Sequence, residues 1–184
     1  MKRITVWDPL VRITHWCVAA LVLSNLFNPW INEGSQWHRW SGYAACTLVA
    51  IRLIWGFVGT RHARFSDWFP WPSKVLAYVR ATLRGQHPEF IGHNPLGSVM
   101  MLALWAMILT MGVSGYMMGL DEWYGVEWLE NVHEYTAWLI QISVVLHVLA
   151  AIVGSKQVGY NLIASMIHGK KPLPAANDEA MNKP

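Results

Sequence analysis

Four long apolar segments, at residues 11–27, 37–58, 95–119 and 132–154, restrict the folds open to this 184-residue chain. About 20 apolar residues in a helix cross the hydrocarbon core of a bilayer, and a helix satisfies its own backbone hydrogen bonds there. Only 14% of the residues are charged, against about 25% in a typical soluble domain. The sequence therefore predicts an all-α integral membrane four-helix bundle over residues 1–156, followed by a C-terminal tail at 157–184.

The basic residues predict an orientation for this bundle. Twelve of the 14 lysines and arginines lie before or at the opening of the first segment, between the second and third segments, or after the fourth. Because basic residues concentrate on the cytoplasmic side, we expect both termini, the connection 59–94 and the tail to be cytoplasmic. The opposite side is acidic through Asp121, Glu122, Glu127 and Glu130. A sequence pI near 9.0 thus reflects membrane orientation, and no nucleic-acid partner is expected.

Three further local patterns in the sequence refine this prediction. The connection 59–94 contains the amphipathic run PSKVLAYVRATLRG, which predicts either a helix in the membrane plane or an ordinary loop helix. No small-residue cleavage site follows the first apolar segment, so we expect that segment to remain as a helix. The two cysteines, Cys17 and Cys46, form no CxxC or CxxCH motif, which disfavours iron–sulfur ligation and covalent haem attachment.

Four of the eight histidines, His15, His38, His133 and His147, fall in or at the start of the apolar segments. Ionisable residues are costly inside a membrane and need partners there. With the predicted orientation, His15 and His147 lie at one depth and His38 and His133 at another. The 14 residues from His133 to His147 correspond to about 21 Å along a helix and to directions about 40° apart. Both histidines of the fourth segment could therefore face the bundle interior, one above the other.

Imidazoles from facing helices are typical axial ligands of haem iron, so the two pairs predict two haem b groups with bis-histidine ligation. Two such haems would let electrons cross most of the bilayer. A zinc site is disfavoured because zinc gathers three or four ligands in one place. His93 could replace His15, whereas His62, His87 and His168 are expected to be surface residues. Arg12, Arg39 and Arg52 are candidates to bind haem propionates, and Arg52 could instead snorkel to lipid phosphate.

The chain resembles the bacterial b-type cytochromes that include cytochrome b-561 and the membrane subunit of nickel–iron hydrogenases. The resemblance rests on WDPLVRITHW, RLIWGFVGTRHARF, GHNPLG and the two histidines of the fourth segment. It implies a four-helix dihaem electron carrier of the bacterial inner membrane, with ligands at His15, His38, His133 and His147. The hydrogenase subunits carry longer connecting and terminal segments, so the resemblance does not require a hydrogenase partner.

Three functions are consistent with these patterns. The leading hypothesis is transmembrane electron transfer between the quinone pool and a redox partner, either a periplasmic cytochrome c or a hydrogenase-like subunit; we expect an electron carrier with no catalytic residues of its own. The alternative is a stand-alone quinone-linked oxidoreductase such as a superoxide oxidase, which the acidic periplasmic side disfavours. The third is a haem-free bundle such as a small transporter. The quinone site, the direction of electron flow and assembly as a homodimer or complex subunit stay open.

Overall fold

The computed structural model describes residues 3–27, 35–86 and 88–172, so His87 and the tail beyond Pro172 lie outside the described residues. Within that part the chain forms seven α-helices and two short strands. In chain order they are β1 (Arg3–Thr5), α1 (Pro9–Phe27), α2 (Gln36–Val58), α3 (Phe65–Trp68), α4 (Pro72–Leu83), α5 (Pro95–Met117), α6 (Glu127–Val158), α7 (Leu162–His168) and β2 (Lys170–Pro172). Helices α1, α2, α5 and α6 are long and apolar enough to cross a membrane. The all-α membrane fold predicted from the sequence is confirmed.

The helix bounds differ from the prediction mainly at α6. This helix has 32 residues and is therefore about 48 Å long, beginning five residues before and ending four residues after the predicted segment. Glu127 and Glu130 lie in its first turn, where negative side chains favour a helix through its dipole. Because the prediction follows runs of apolar residues, it does not include this polar first turn. Helix α4 forms where the amphipathic run predicts a helix, and its position relative to the membrane stays a prediction.

The chain divides into two compact units. The first unit comprises the described residues of Met1–Arg12, Trp55–Val99 and His147–Pro184. In it β1 pairs antiparallel with β2, with Ile4 opposite Lys171. The amides of Val6 and Trp7 donate to the carbonyl of Gly169 at 2.9 and 3.1 Å. We call β1, β2 and Gly169 the terminal strap; it ties the two ends of the described chain together.

The residues Asp8 and Pro9 explain why α1 begins where it does. The Asp8 carboxylate accepts from the Val11 amide at 2.9 Å, which caps the helix, and Pro9 suits the first helical position. The same carboxylate accepts from Trp55 Nε1 at 3.0 Å and Thr60 Oγ1 at 2.6 Å. Asp8 therefore connects the start of α1 to the end of α2 within the first unit.

The second unit comprises Ile13–Ile54 and Met100–Leu146, again for the described residues. Its buried core is formed by Ala45, Val49, Ile108 and Ile140, with partly buried residues of α1 such as Val18 packed against them. All four long helices thus contribute to this core. Helices α2 and α5 approach closely at Gly112, where an added Cβ would collide with Cys46 Sγ. Small residues permit such close helix approach in membranes.

Candidate functional site

His38 and His133 lie next to each other in the second unit. His38 is in the first turn of α2 and His133 is in the second turn of α6. Their ring centroids are 6.1 Å apart, their planes are inclined by 59°, and both side chains are half-buried. The structure therefore brings together the two histidines that the depth argument paired on one side of the membrane.

The spacing of these rings suits two axial ligands of one iron. A histidine nitrogen lies about 2 Å from a metal ion of the first transition row, and the ring centre lies about 1.2 Å beyond that nitrogen. Two imidazoles on opposite sides of one iron therefore have centroids about 6 to 6.5 Å apart. The observed 6.1 Å falls in this range. These two residues fit the ligation of a haem.

Helix α5 supports the His133 ring. Ser114, which is 2% exposed, places Oγ 2.9 Å from His133 Nδ1. Gly115 leaves room for the ring, since an added Cβ would lie 3.2 Å from His133 Cε1. Ser114 is not among the candidate residues predicted from the sequence. Two features of the sequence could have indicated it. Ser114 is next to Gly115, and it lies at the end of the third apolar segment that is predicted to be at the depth of His133.

His15, His147 and His93 have different surroundings within their units. His15 belongs to the second unit, where it is half-buried and makes an edge-to-face contact with Trp16 at 5.0 Å. His147 belongs to the first unit, and its side chain is exposed on α6. The pairing of His15 with His147 stays a prediction. His93, also in the first unit, packs against Trp7 and Trp68 with ring centroids 4.6 and 5.3 Å away. That packing is typical of a structural histidine.

Of the three histidines expected to be surface residues, His62 and His168 are among the described residues. His168 is exposed at the end of α7, in agreement with that expectation. The His62 side chain is only 18% exposed, and its Nδ1 lies 3.0 Å from Asp67 Oδ2. His62 is therefore more enclosed than a freely solvated surface residue.

The three candidate arginines differ in burial. Arg52 is 4% exposed, and its guanidinium lies over the Trp105 ring, 5.3 Å from the centroid. A cation above an aromatic face is stabilised by the ring electrons, most strongly where water is absent. Arg12 is half-buried in the first unit and packs beside Gly169. Arg39 is exposed. Arg52 is thus the buried charge of this set, held within the protein.

Four apolar spans and a histidine pair spaced for one iron define an integral membrane haem protein of the helical type. Comparison with known proteins agrees with this class: a family model described as prokaryotic cytochrome b561 matches residues 6–169. The chain belongs to the prokaryotic cytochrome b561 family. It is therefore a multi-pass protein of the bacterial inner membrane that binds b-type haem and takes part in membrane electron transfer.

Several relatives resemble the chain over most of its length. It is 26% identical to a probable Ni/Fe-hydrogenase B-type cytochrome subunit of Rhizobium leguminosarum bv. viciae, over 92% of this chain and 89% of that protein. Proteins with the same description from Bradyrhizobium diazoefficiens and Azotobacter vinelandii are 25% and 28% identical. These alignments cover 90% and 89% of this chain and 85% and 86% of the relatives. No solved structure matches the chain significantly.

Proposed function

We propose that this chain is a dihaem cytochrome that transfers electrons across the inner membrane between the quinone pool and a partner redox protein. The observation that supports it most is the 6.1 Å separation of the His38 and His133 rings, which suits one haem. Haem iron, when bound, supplies a reversible one-electron change between its ferric and ferrous states. The protein supplies the ligands, their spacing and their surroundings.

A second haem is proposed at His147. The 14 residues from His133 to His147 correspond to about 21 Å along an ideal α-helix and to directions about 40° apart. The His147 side chain is exposed on α6. His15 is the proposed opposite ligand. The packing of His93 between Trp7 and Trp68 supports this choice, since both tryptophans would restrict movement of that ring toward a metal.

The arginines are proposed to bind the haem carboxylates. Arg52 is the strongest candidate because a buried guanidinium makes strong charge-assisted hydrogen bonds to an anion in surroundings that contain little water. Arg12 on the predicted cytoplasmic side and Arg39 on the opposite side are the candidates nearer the ends of the helices. By binding a haem carboxylate, each of these arginines would fix the orientation of that haem.

The redox partner is proposed to dock on the predicted periplasmic side. The connection between α5 and α6 exposes Asp121 and Glu122, and the first turn of α6 exposes Glu127 and Glu130. An acidic surface of this kind attracts a basic patch, as on a cytochrome c. The relatives are described as hydrogenase cytochrome subunits, which supports a hydrogenase-like subunit as the other candidate partner. Mixing the protein with each candidate partner in turn, in the oxidised and in the reduced state, distinguishes them by which one exchanges electrons with it.

Single histidine variants test the ligand assignment. Two b-type haems per purified chain are expected, and His133→Ala and His147→Ala should each lose one of them. His15→Ala should lose the same haem as His147→Ala, whereas His93→Ala should retain both. The matched control is His168→Ala, which removes an exposed histidine from the end of α7. Two haems remaining in His133→Ala would refute the proposal, and so would one haem in the unaltered chain.

A further inference from the structure

Ser114 is buried in α5 and has one hydroxyl proton for several neighbouring groups. Its Oγ lies 2.8 Å from the carbonyl oxygen of Thr110, 3.3 Å from that of Met111 and 2.9 Å from His133 Nδ1. The side chain is 2% exposed. A serine hydroxyl within a helix commonly donates to the backbone carbonyl four residues earlier. Ser114 does so while also meeting a histidine on a different helix.

The positions of the protons follow from these contacts. A carbonyl oxygen can only accept, so the Ser114 hydroxyl donates to Thr110 and its oxygen remains free to accept. With that proton directed to the Thr110 carbonyl, the 2.9 Å contact is a hydrogen bond in the tautomer of His133 that carries Nδ1–H. Neutral imidazole carries one ring proton, so Nε2 of His133 keeps its lone pair. A lone pair on Nε2 is what an axial ligand of iron requires.

Gly115 makes this contact possible. An added Cβ at residue 115 would lie 3.2 Å from His133 Cε1 and 3.7 Å from Nδ1, so the glycine lets α5 approach the ring closely. The ring edge that faces α5 is therefore the edge that carries Nδ1. Together Ser114 and Gly115 place the Nδ1 edge of the His133 ring against α5.

We infer that Ser114 is a positioning residue for His133, which accepts Nδ1–H so that Nε2 binds iron in a fixed tautomer and ring orientation. The inference rests on the proposed role of His133 as a haem ligand. A hydrogen bond donated by a metal-bound imidazole raises its basicity as a ligand. A more basic ligand stabilises ferric iron, so Ser114 lowers the reduction potential of the haem at His133.

The test compares Ser114→Ala with Ser114→Thr in the intact, haem-containing protein. Ser114→Ala should keep both haems and favour reduction of one of them by roughly tenfold, which for one electron corresponds to about 59 mV upward in its midpoint potential. The low-spin ferric electron paramagnetic resonance signal of that haem should also change. Ser114→Thr, which retains the hydroxyl, should keep the potential close to that of the unaltered protein.

The matched control is Ser98→Ala, because Ser98 is also a buried serine of α5 whose Oγ donates to the carbonyl four residues earlier, that of Asn94. Ser98→Ala should leave both potentials unchanged. The inference is overturned if Ser114→Ala leaves both potentials and both spectra unchanged, or if Ser98→Ala produces the same shift. Failure of the ligand proposal is distinct from these outcomes, since it appears as retention of both haems in His133→Ala.

Discussion

Lys171, in strand β2, is an unusually buried lysine, since it is only 5% exposed. Its Nζ donates to the carbonyl of Gly92 at 2.9 Å and lies 4.8 Å from the centre of the Trp7 ring. Burial lowers the pKa of this ammonium group from its usual 10.5 to about 8. Burial of the charged form of Lys171 therefore destabilises the terminal strap.

The stability of the terminal strap should depend on pH through Lys171. Between about pH 8 and 10.5 the open strap binds more protons than the closed one, so the free energy of opening rises with pH, by at most about 1.4 kcal/mol per unit. Below pH 8 both states carry the proton and the dependence disappears. Hydrogen exchange of the Val6 and Trp7 amides, corrected for intrinsic exchange rates, measures this between pH 7 and 9.5. Lys171→Met should abolish the slope, and an unchanged slope in that variant would assign the effect to another group.

At the scale of helices, α2 and α5 approach closely where Gly112 faces Cys46. Cys46 Sγ also donates to the carbonyl of Ile108 at 3.3 Å, so the thiol is held against α5. A Cβ on residue 112 would collide with that sulfur. Since interiors tolerate added volume poorly, this contact sets how closely the two helices pack.

Gly112→Ala should therefore destabilise the haem-containing protein by about 1 to 3 kcal/mol, as overpacking of a close-packed interior does. Cys46→Ala removes the sulfur, so the double variant Cys46→Ala with Gly112→Ala should recover most of the loss. Denaturant titrations of all four proteins in one detergent give the coupling energy of the pair. Additive effects of the two substitutions would mean that the sulfur and the new methyl group do not meet.

The sequence predicts the long elements well and the short ones poorly. Runs of apolar residues locate α1, α2 and α5 to within two residues, because a lipid-spanning helix must be apolar along its length. Strands β1 and β2 have three residues each, and their residues are separated by almost the whole chain. No local sequence pattern therefore predicts them. Helix α7 has seven residues and depends on Asn161, which accepts from the Ala164 amide at 2.8 Å.

The sequence likewise predicts one part of the candidate site and misses another. The depth argument predicts that His38 and His133 lie together, since charge placement orders residues along the membrane normal. Ser114 could not be assigned in that way, because many buried hydroxyls bond a carbonyl of their own helix. Only its 2.9 Å contact with a second helix distinguishes it. The exposed position of His147 was likewise not evident from its apolar neighbours.

At the scale of the whole molecule, function depends on which side of the membrane each connection occupies. The proposed docking of a periplasmic partner requires the acidic connection between α5 and α6 to face the periplasm. The connection that contains α3 and α4 must then face the cytoplasm. Two exposed residues, Glu122 in the first connection and Ser66 in the second, report on these two sides.

Cysteine labelling decides the orientation. In a Cys17→Ala, Cys46→Ala background, which removes both native thiols, Glu122→Cys should react with a membrane-impermeant maleimide added to intact spheroplasts. Ser66→Cys should react only after the membrane is opened, although both positions are exposed and differ only in the predicted side. Retention of both haems checks that each variant is assembled. The reverse labelling pattern would place the acidic connection in the cytoplasm, where a periplasmic cytochrome c could not reach it, and the partner would then have to be sought on the side of α3 and α4.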